Sequence, residues 1–229
     1  MFSIRAFTLL IENVEDALNL CLGATRLGLV SRNHERPNKV LNQKRLGVVL
    51  NGPSLAYEDL DDNIDEFWAS NFFALSEFFF TLKPSAYILV DPAFTGKTER
   101  GDLAERVEKL WSVFELVDWT MKIYVLEAPK LKLDNPNVEV VRVRYNPIVG
   151  GSSRISIFLW RSGLATPHFQ NVLVACLWIG FVDGYSEIKV YGANHDWFRN
   201  LYIKNEKLVL LSEHFYSREG KLTDLYFND

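Results

Sequence analysis

Short apolar runs alternate along this chain with longer stretches whose apolar residues recur at three- and four-residue spacing. The runs LGVVL at 46–50, EFWAS at 66–70, SAYILVD at 85–91, KIYVLE at 122–127, VEVVRVR at 138–144, RISIFLW at 154–160 and SEIKVYG at 186–192 read as strands. The alternation in 138–144 marks a less buried strand than its neighbours. Helical spacing covers 8–28, where it predicts an amphipathic helix lying over one face of the core, and then 99–117 and 167–183. A further helix begins near Pro53, and a phenylalanine-rich segment fills 72–82. Strands that alternate with helices predict βαβ units, a mostly parallel sheet and right-handed crossovers, which is an α/β fold. No internal repeat or low-complexity linker interrupts the pattern, so the whole of 1–229 reads as a single domain.

Composition narrows the classes of partner. With 48% hydrophobic and 24% charged residues in 229, the chain can bury one sizeable core. A formal net charge of -4 gives no general attraction to nucleic acid. Cys21 and Cys176 stand alone, without metal-ligand spacing or a disulfide framework, which suits a reducing cytoplasm. Glu12, Glu15 and Asp16 interrupt the first apolar stretch, and the uncharged run 172–182 is shorter than the roughly 20 residues that span a bilayer. The expected location is the cytoplasm. Association with the inner face of the membrane and self-association are left open.

Where the chemistry sits follows from the punctuation. In a parallel sheet, ligands settle at the carboxyl ends of the strands. There the chain places Asn51, Gly52 and Ser54 after the first strand, Ser70 and Asn71 after the second, and Asp91 after the third. Gly192, Asn194, His195 and Asp196 follow the last. Gly52 lets backbone approach a ligand closely, Pro53 is preorganised for a first helical turn, and Ser54 sets a hydroxyl beside helix-start amides. A phosphate or ribose cradle fits these residue types, and so does ordinary turn and cap chemistry. The spacing of neither a dinucleotide fingerprint nor a P-loop is present. The acidic run EDLDDNIDE contains a D-x-D pattern, but it falls away from the strand ends and reads as a solvated loop.

The segments VVLNGPSL, FWASNFF, AYILVDP and FQNVLVACLWIGFVDGYSEIKVYGANHDW resemble, in order and spacing, the bacterial sialyltransferases of the glycosyltransferase 42 group and related polysaccharide-synthesis proteins. The resemblance spans roughly residues 46–216. It implies a Rossmann-like domain with helices on both faces of the sheet and a short lid, here 197–213. The implied activity is direct displacement of a sugar, sialic acid or similar, from a nucleotide-activated donor such as a CMP-sugar to a surface-glycan acceptor. No cofactor or metal is implied. By position, Asn51, Gly52 and Ser54 match the loop at the donor phosphate and ribose, and Asn71 matches a nucleotide-contacting asparagine. Asp91 stands where another asparagine is usual, and Asn171 lies near the helix start that touches the donor sugar. Tyr202 matches one of two tyrosines on the departing phosphate. Leu50, Phe72 and Asp196 depart from the pattern.

Transfer to a sugar hydroxyl needs a base, and a histidine titrating near neutrality suits the task. His214, in LLSEHFYSREG, follows the lid segment and is the expected base, with a surface histidine at a strand end as its alternative reading. His195 and Asp196 divide between ligand contact and loop capping. Two other functions fit the same turn. One is a magnesium-dependent enzyme like the pterin diphosphokinases, with Asp91 and Asp196 as metal ligands, and the other is a non-catalytic Rossmann-like binding module.

Overall fold

The computed structural model describes residues 42–57, 60–95, 101–126, 133–148, 154–161, 164–194, 201–204, 207–214 and 217–224. The helix expected over 8–28 lies outside them, as do His195 and Asp196. The described residues group into two compact units, one of those within 143–186 with Asn42 and Gln43, the other of those within Lys44–Arg142 with those from Glu187 onward.

Six strands form one sheet: β1 (Asn42–Val49), β2 (Glu66–Ser70), β3 (Ala86–Leu89), β4 (Met121–Val125), β5 (Val138–Arg142) and β6 (Tyr185–Tyr191), in the order β5-β4-β3-β2-β1-β6. The pairings from β1 to β5 are all parallel, with Val48 beside Trp68, Ala69 beside Tyr87 and Ile88 beside Tyr124. The amides of Leu50 and Gly52 step along β6 in the same sense, reaching the carbonyls of Tyr191 and Gly192. This is the parallel α/β sheet that the strand and helix alternation predicts.

Such sheets are buried on both faces, and the strands here show it. Val49, Ala69, Tyr87, Leu89, Ile123 and Val125 point to one side, while Leu46, Val48, Trp68, Ala86, Ile88 and Tyr124 point to the other, and all are buried. Edge strand β5 is mostly exposed, as its alternation foretold. The first face is covered by α1 (Phe78–Leu82) and α2 (Gly101–Phe114). On α2, Leu103, Val107, Leu110, Trp111 and Phe114 recur at helical spacing, and they form the stripe that packs on the sheet. Phe79, fully buried, meets Tyr87, Phe114 and Trp119 at centroid distances of 5.9, 6.3 and 5.3 Å. At and just past the end of α2, the carbonyls of Phe114, Glu115 and Val117 accept from the Asn135 carboxamide, which ties the helix end to the turn before β5.

Two elements differ from expectation. Residues 154–160 form not a strand but α3 (Arg154–Arg161), with Ser156 and Leu159 turned inward at a spacing of three. The apolar residues Ile155, Ile157 and Leu159 alternate, which imitates a strand, and burial follows the helical period instead. The helix expected from Pro53 is a 3-10 turn of five residues, Pro53–Tyr57. The segment read as a lid, 197–213, carries β7 (Leu201–Lys204) and most of β8 (Lys207–His214), which with β9 (Ser217–Asp224) make an antiparallel sheet in the order β7-β8-β9.

The acidic loop before β2 has its own function in the fold. The Asp61 carboxylate accepts from the backbone and side-chain nitrogens of Asn63, both at 2.9 Å, and meets Lys189 Nζ on β6 at 3.2 Å. These donors, Asn63 first, hold the Asp61 carboxyl at about 2, below its ordinary 3.8. A depressed carboxyl stabilises the fold above its ordinary value and loses that contribution as pH falls through the folded one. Asp61→Asn should therefore be less stable than the parent near neutrality, with the gap in denaturation midpoint closing between about pH 4 and about pH 2. A gap that stays constant over that range would show that the carboxylate charge is not responsible.

Candidate functional site

The sheet order places the change of winding direction between β1 and β6. From β1 the chain steps outward through β2, β3, β4 and β5, then returns to lay β6 on the other side of β1. In parallel sheets the crevice at such a switch point is where ligands bind. Residues 51–54 and 192–194 are the loops that leave these two strands.

Those loops are bound to each other. Gly52 N–H donates to the Gly192 carbonyl at 2.8 Å, and Ser54 N–H donates to Asn194 Oδ1 at 3.1 Å. A Cβ on residue 52 would lie 2.2 Å from Asn194 Oδ1 and 2.4 Å from the Gly192 carbonyl oxygen. Gly192 itself has φ +65°, and a Cβ there would lie 2.8 Å from the Leu50 carbonyl oxygen. Both glycines are thus required by contact of the chain with itself, whereas the sequence suggested a glycine opened to a ligand. The amides expected to cradle a phosphate are likewise engaged: Gly52 and Ser54 as above, and Leu55 with the Gly52 carbonyl at 3.1 Å.

Side chains remain. Asn51 Nδ2 donates to the Ser70 carbonyl at 3.2 Å and so joins the ends of β1 and β2, while its buried Oδ1 has no hydrogen-bond partner among the described residues. The Ser70 hydroxyl, on a fully buried residue, has none among them either. Buried polar atoms in this condition are uncommon and costly, and they mark places where a water or a ligand completes the bonding. Asn71 has φ 53°, a left-handed conformation that asparagine tolerates better than most residues. Its backbone is held there by Tyr87, whose hydroxyl donates to the Asn71 carbonyl at 2.8 Å and accepts from Ala74 N–H at 2.8 Å. The Asn71 carboxamide makes no hydrogen bond among the described residues and is half exposed.

Other expected residues have different settings. Asp91 Oδ1 caps the turn Pro92–Thr95 by accepting from Ala93 N–H at 2.9 Å, and the residue is exposed. Asn171, in the other unit, is the N-cap of α4 (Val172–Val182), accepting from Val174 N–H at 3.1 Å. Tyr202 on β7 pairs with Val209, and His214 closes β8 opposite Ser217, past a register shift after Ser212. In the unit that holds Asn171, an open groove of about 620 Å³ is lined by Ile157, Trp160, Arg161, Val174, Leu177 and Phe181. Apart from Arg161, its lining side chains are apolar or aromatic.

Ser70, Gly192 and Asn194 were legible only as punctuation, and Tyr87 not at all, because a tyrosine inside an apolar strand reads as core. No family model, curated protein or solved structure matched this chain. Among the described residues no helix is long and apolar enough to cross a membrane.

Tyr87→Phe removes the partner of the buried Ala74 N–H and of the part-buried Asn71 carbonyl, and should cost about 1–3 kcal/mol in chemical denaturation. Gly52→Ala should destabilise as well, since both nearest obstacles are the chain's own polar atoms. Unchanged midpoints in both variants would remove the junction as a structural constraint.

Proposed function

We propose that the strand-end corner formed by Asn51, Ser70 and Asn71 beside the β1/β6 switch point holds the nucleotide of an activated sugar, and that the protein transfers that sugar to a glycan hydroxyl. One observation carries the reading. Polar side-chain groups at the carboxyl ends of β1 and β2 have no protein partner among the described residues, in the position where parallel sheets bind ligands. Amide and hydroxyl groups of this kind match ribose hydroxyls and base edges. The resemblance to sialyltransferase-like enzymes, carried by the same loops, supplies the reaction class and favours a CMP-sugar donor.

In this reaction the acceptor oxygen forms a bond to the anomeric carbon as the bond from that carbon to the phosphate oxygen breaks. The nucleotide leaves with the bonding electrons. His214 takes the acceptor proton, a role that suits an imidazole titrating near neutrality. Tyr202 donates a hydrogen bond to the departing phosphate. The reading places no metal in the step.

A ligand that binds only the folded protein raises its melting temperature, so CMP, UDP, GDP and ATP can be compared with and without magnesium. One nucleotide, CMP foremost, should stabilise the parent without magnesium. Asn51→Ala and Ser70→Ala should weaken that shift. His214→Ala should keep it while abolishing donor hydrolysis and transfer. Stabilisation by ATP only with magnesium would point instead to diphosphokinase chemistry, and binding without hydrolysis or transfer of any nucleotide sugar would point to a binding module. No shift with any of the four would overturn the site.

A further inference from the structure

Exposed apolar side chains scattered singly are ordinary, whereas several that share one opening call for a partner. In the unit that holds α3 and α4, the exposed side of each short helix is apolar. On α3, Ser156 and Leu159 are buried, while Ile157 and Phe158 are 44% and 65% exposed and Arg161, one turn on, is exposed as well. On α4, Ala175, Cys176 and Ile179 are buried, and Leu177 and Phe181, four residues apart, are 37% and 48% exposed. The two helices are joined where Trp178 Nε1 donates to the Trp160 carbonyl at 3.3 Å, and Ile157, Arg161, Leu177 and Phe181 line the same open groove.

Charge separates this surface from the chain as a whole. From Val143 to Val182 the sequence has no carboxylate side chain and three arginines, Arg144, Arg154 and Arg161, although the whole chain carries a formal net charge of -4. Arg161, in the last turn of α3, is the charged residue that lines the groove. An apolar helical face edged by arginine matches an anionic bilayer surface. Isoleucine and phenylalanine enter the boundary between headgroups and acyl chains, and the arginine lays its stem along them while its guanidinium stays among the phosphates. Trp160, half-buried beside them, is of the residue type enriched at that depth. At 11 residues α4 is too short to cross a bilayer, so the contact lies in the plane of the interface. A second copy of the chain fits less well, because a twofold contact would press two arginine-bearing surfaces together with no carboxylate to answer them.

We propose that the α3/α4 face is a membrane-contact surface that docks on bilayers bearing anionic phospholipid. The proposal is independent of the nucleotide reading above.

The test is co-sedimentation of the full chain with vesicles of phosphatidylcholine alone and with vesicles of equal parts phosphatidylcholine and phosphatidylglycerol. The parent should bind the mixed vesicles, lose affinity as salt is raised, and bind phosphatidylcholine alone far less. Phe158→Ser should lower partitioning about tenfold, as expected when one aromatic side chain no longer enters an apolar phase. Arg161→Gln should lower it about fivefold, the effect of one cation near an anionic surface. Lys109→Gln, which removes an exposed cation from α2, should bind as the parent does. All three variants should keep the parent's melting temperature, since each changes an exposed side chain. Failure of the parent to bind the mixed vesicles overturns the proposal. So does binding that Phe158→Ser and Arg161→Gln leave unchanged, which would move the contact to another part of the chain, and so does equal binding to phosphatidylcholine alone. Self-association that Phe158→Ser abolishes, without vesicle binding, would assign the face to a second copy and likewise overturn it.

Discussion

Two glycines set how closely β1 and β6 meet at their carboxyl ends. The Gly52 amide reaches the Gly192 carbonyl at 2.8 Å, and neither position has room for a side chain. Chain returning from the far edge of the sheet is fixed to the first strand at this point. Hydrogen bonding between adjacent parallel strands would bring β6 to β1 without it. What the junction adds is the path of the two loops after their strands end, because Ser54 and Asn194 are bound in the same contact.

That closure determines what kind of recognition is left. Helix-start amides are the usual anion cradle in α/β folds. Here they are taken up by the loop after β6 and by the turn itself, and the helix behind them is only a 3-10 turn. On the proposed reading, recognition therefore falls to side chains, those of Asn51, Ser70 and Asn71. Each is positioned by the sheet and not by a loop: Asn51 by its bond to the Ser70 carbonyl, Ser70 by the strand, and Asn71 by the Tyr87 hydroxyl rising from β3. A site built this way is set by core packing around Tyr87, which Phe79 and Phe114 flank at 5.9 and 4.9 Å.

How much of this was legible depends on the range of the interaction involved. Buried parallel strands announce themselves as continuous apolar runs, and β1 to β4 fall where those runs lie. The exposed edge β5 is visible as alternation. Residues 154–160 were misread because the isoleucines and leucine alternate locally, whereas which face of a seven-residue run is buried depends on distant chain. The NGPS turn was recognised as polar punctuation, but its partners are about 140 residues away, and no local pattern shows that Asn194 and Gly192 would close on it. Tyr87 was hidden for the opposite reason. Its ring satisfies the strand pattern so well that nothing marks the hydroxyl as the group that holds Asn71.

The same setting explains why the side chains at this corner are uncharged. Residues at the ends of buried central strands are close to the low-dielectric core, where an unpaired charge costs far more than an amide or hydroxyl. Asn51, Ser70 and Asn71 are neutral, which the sheet can accommodate.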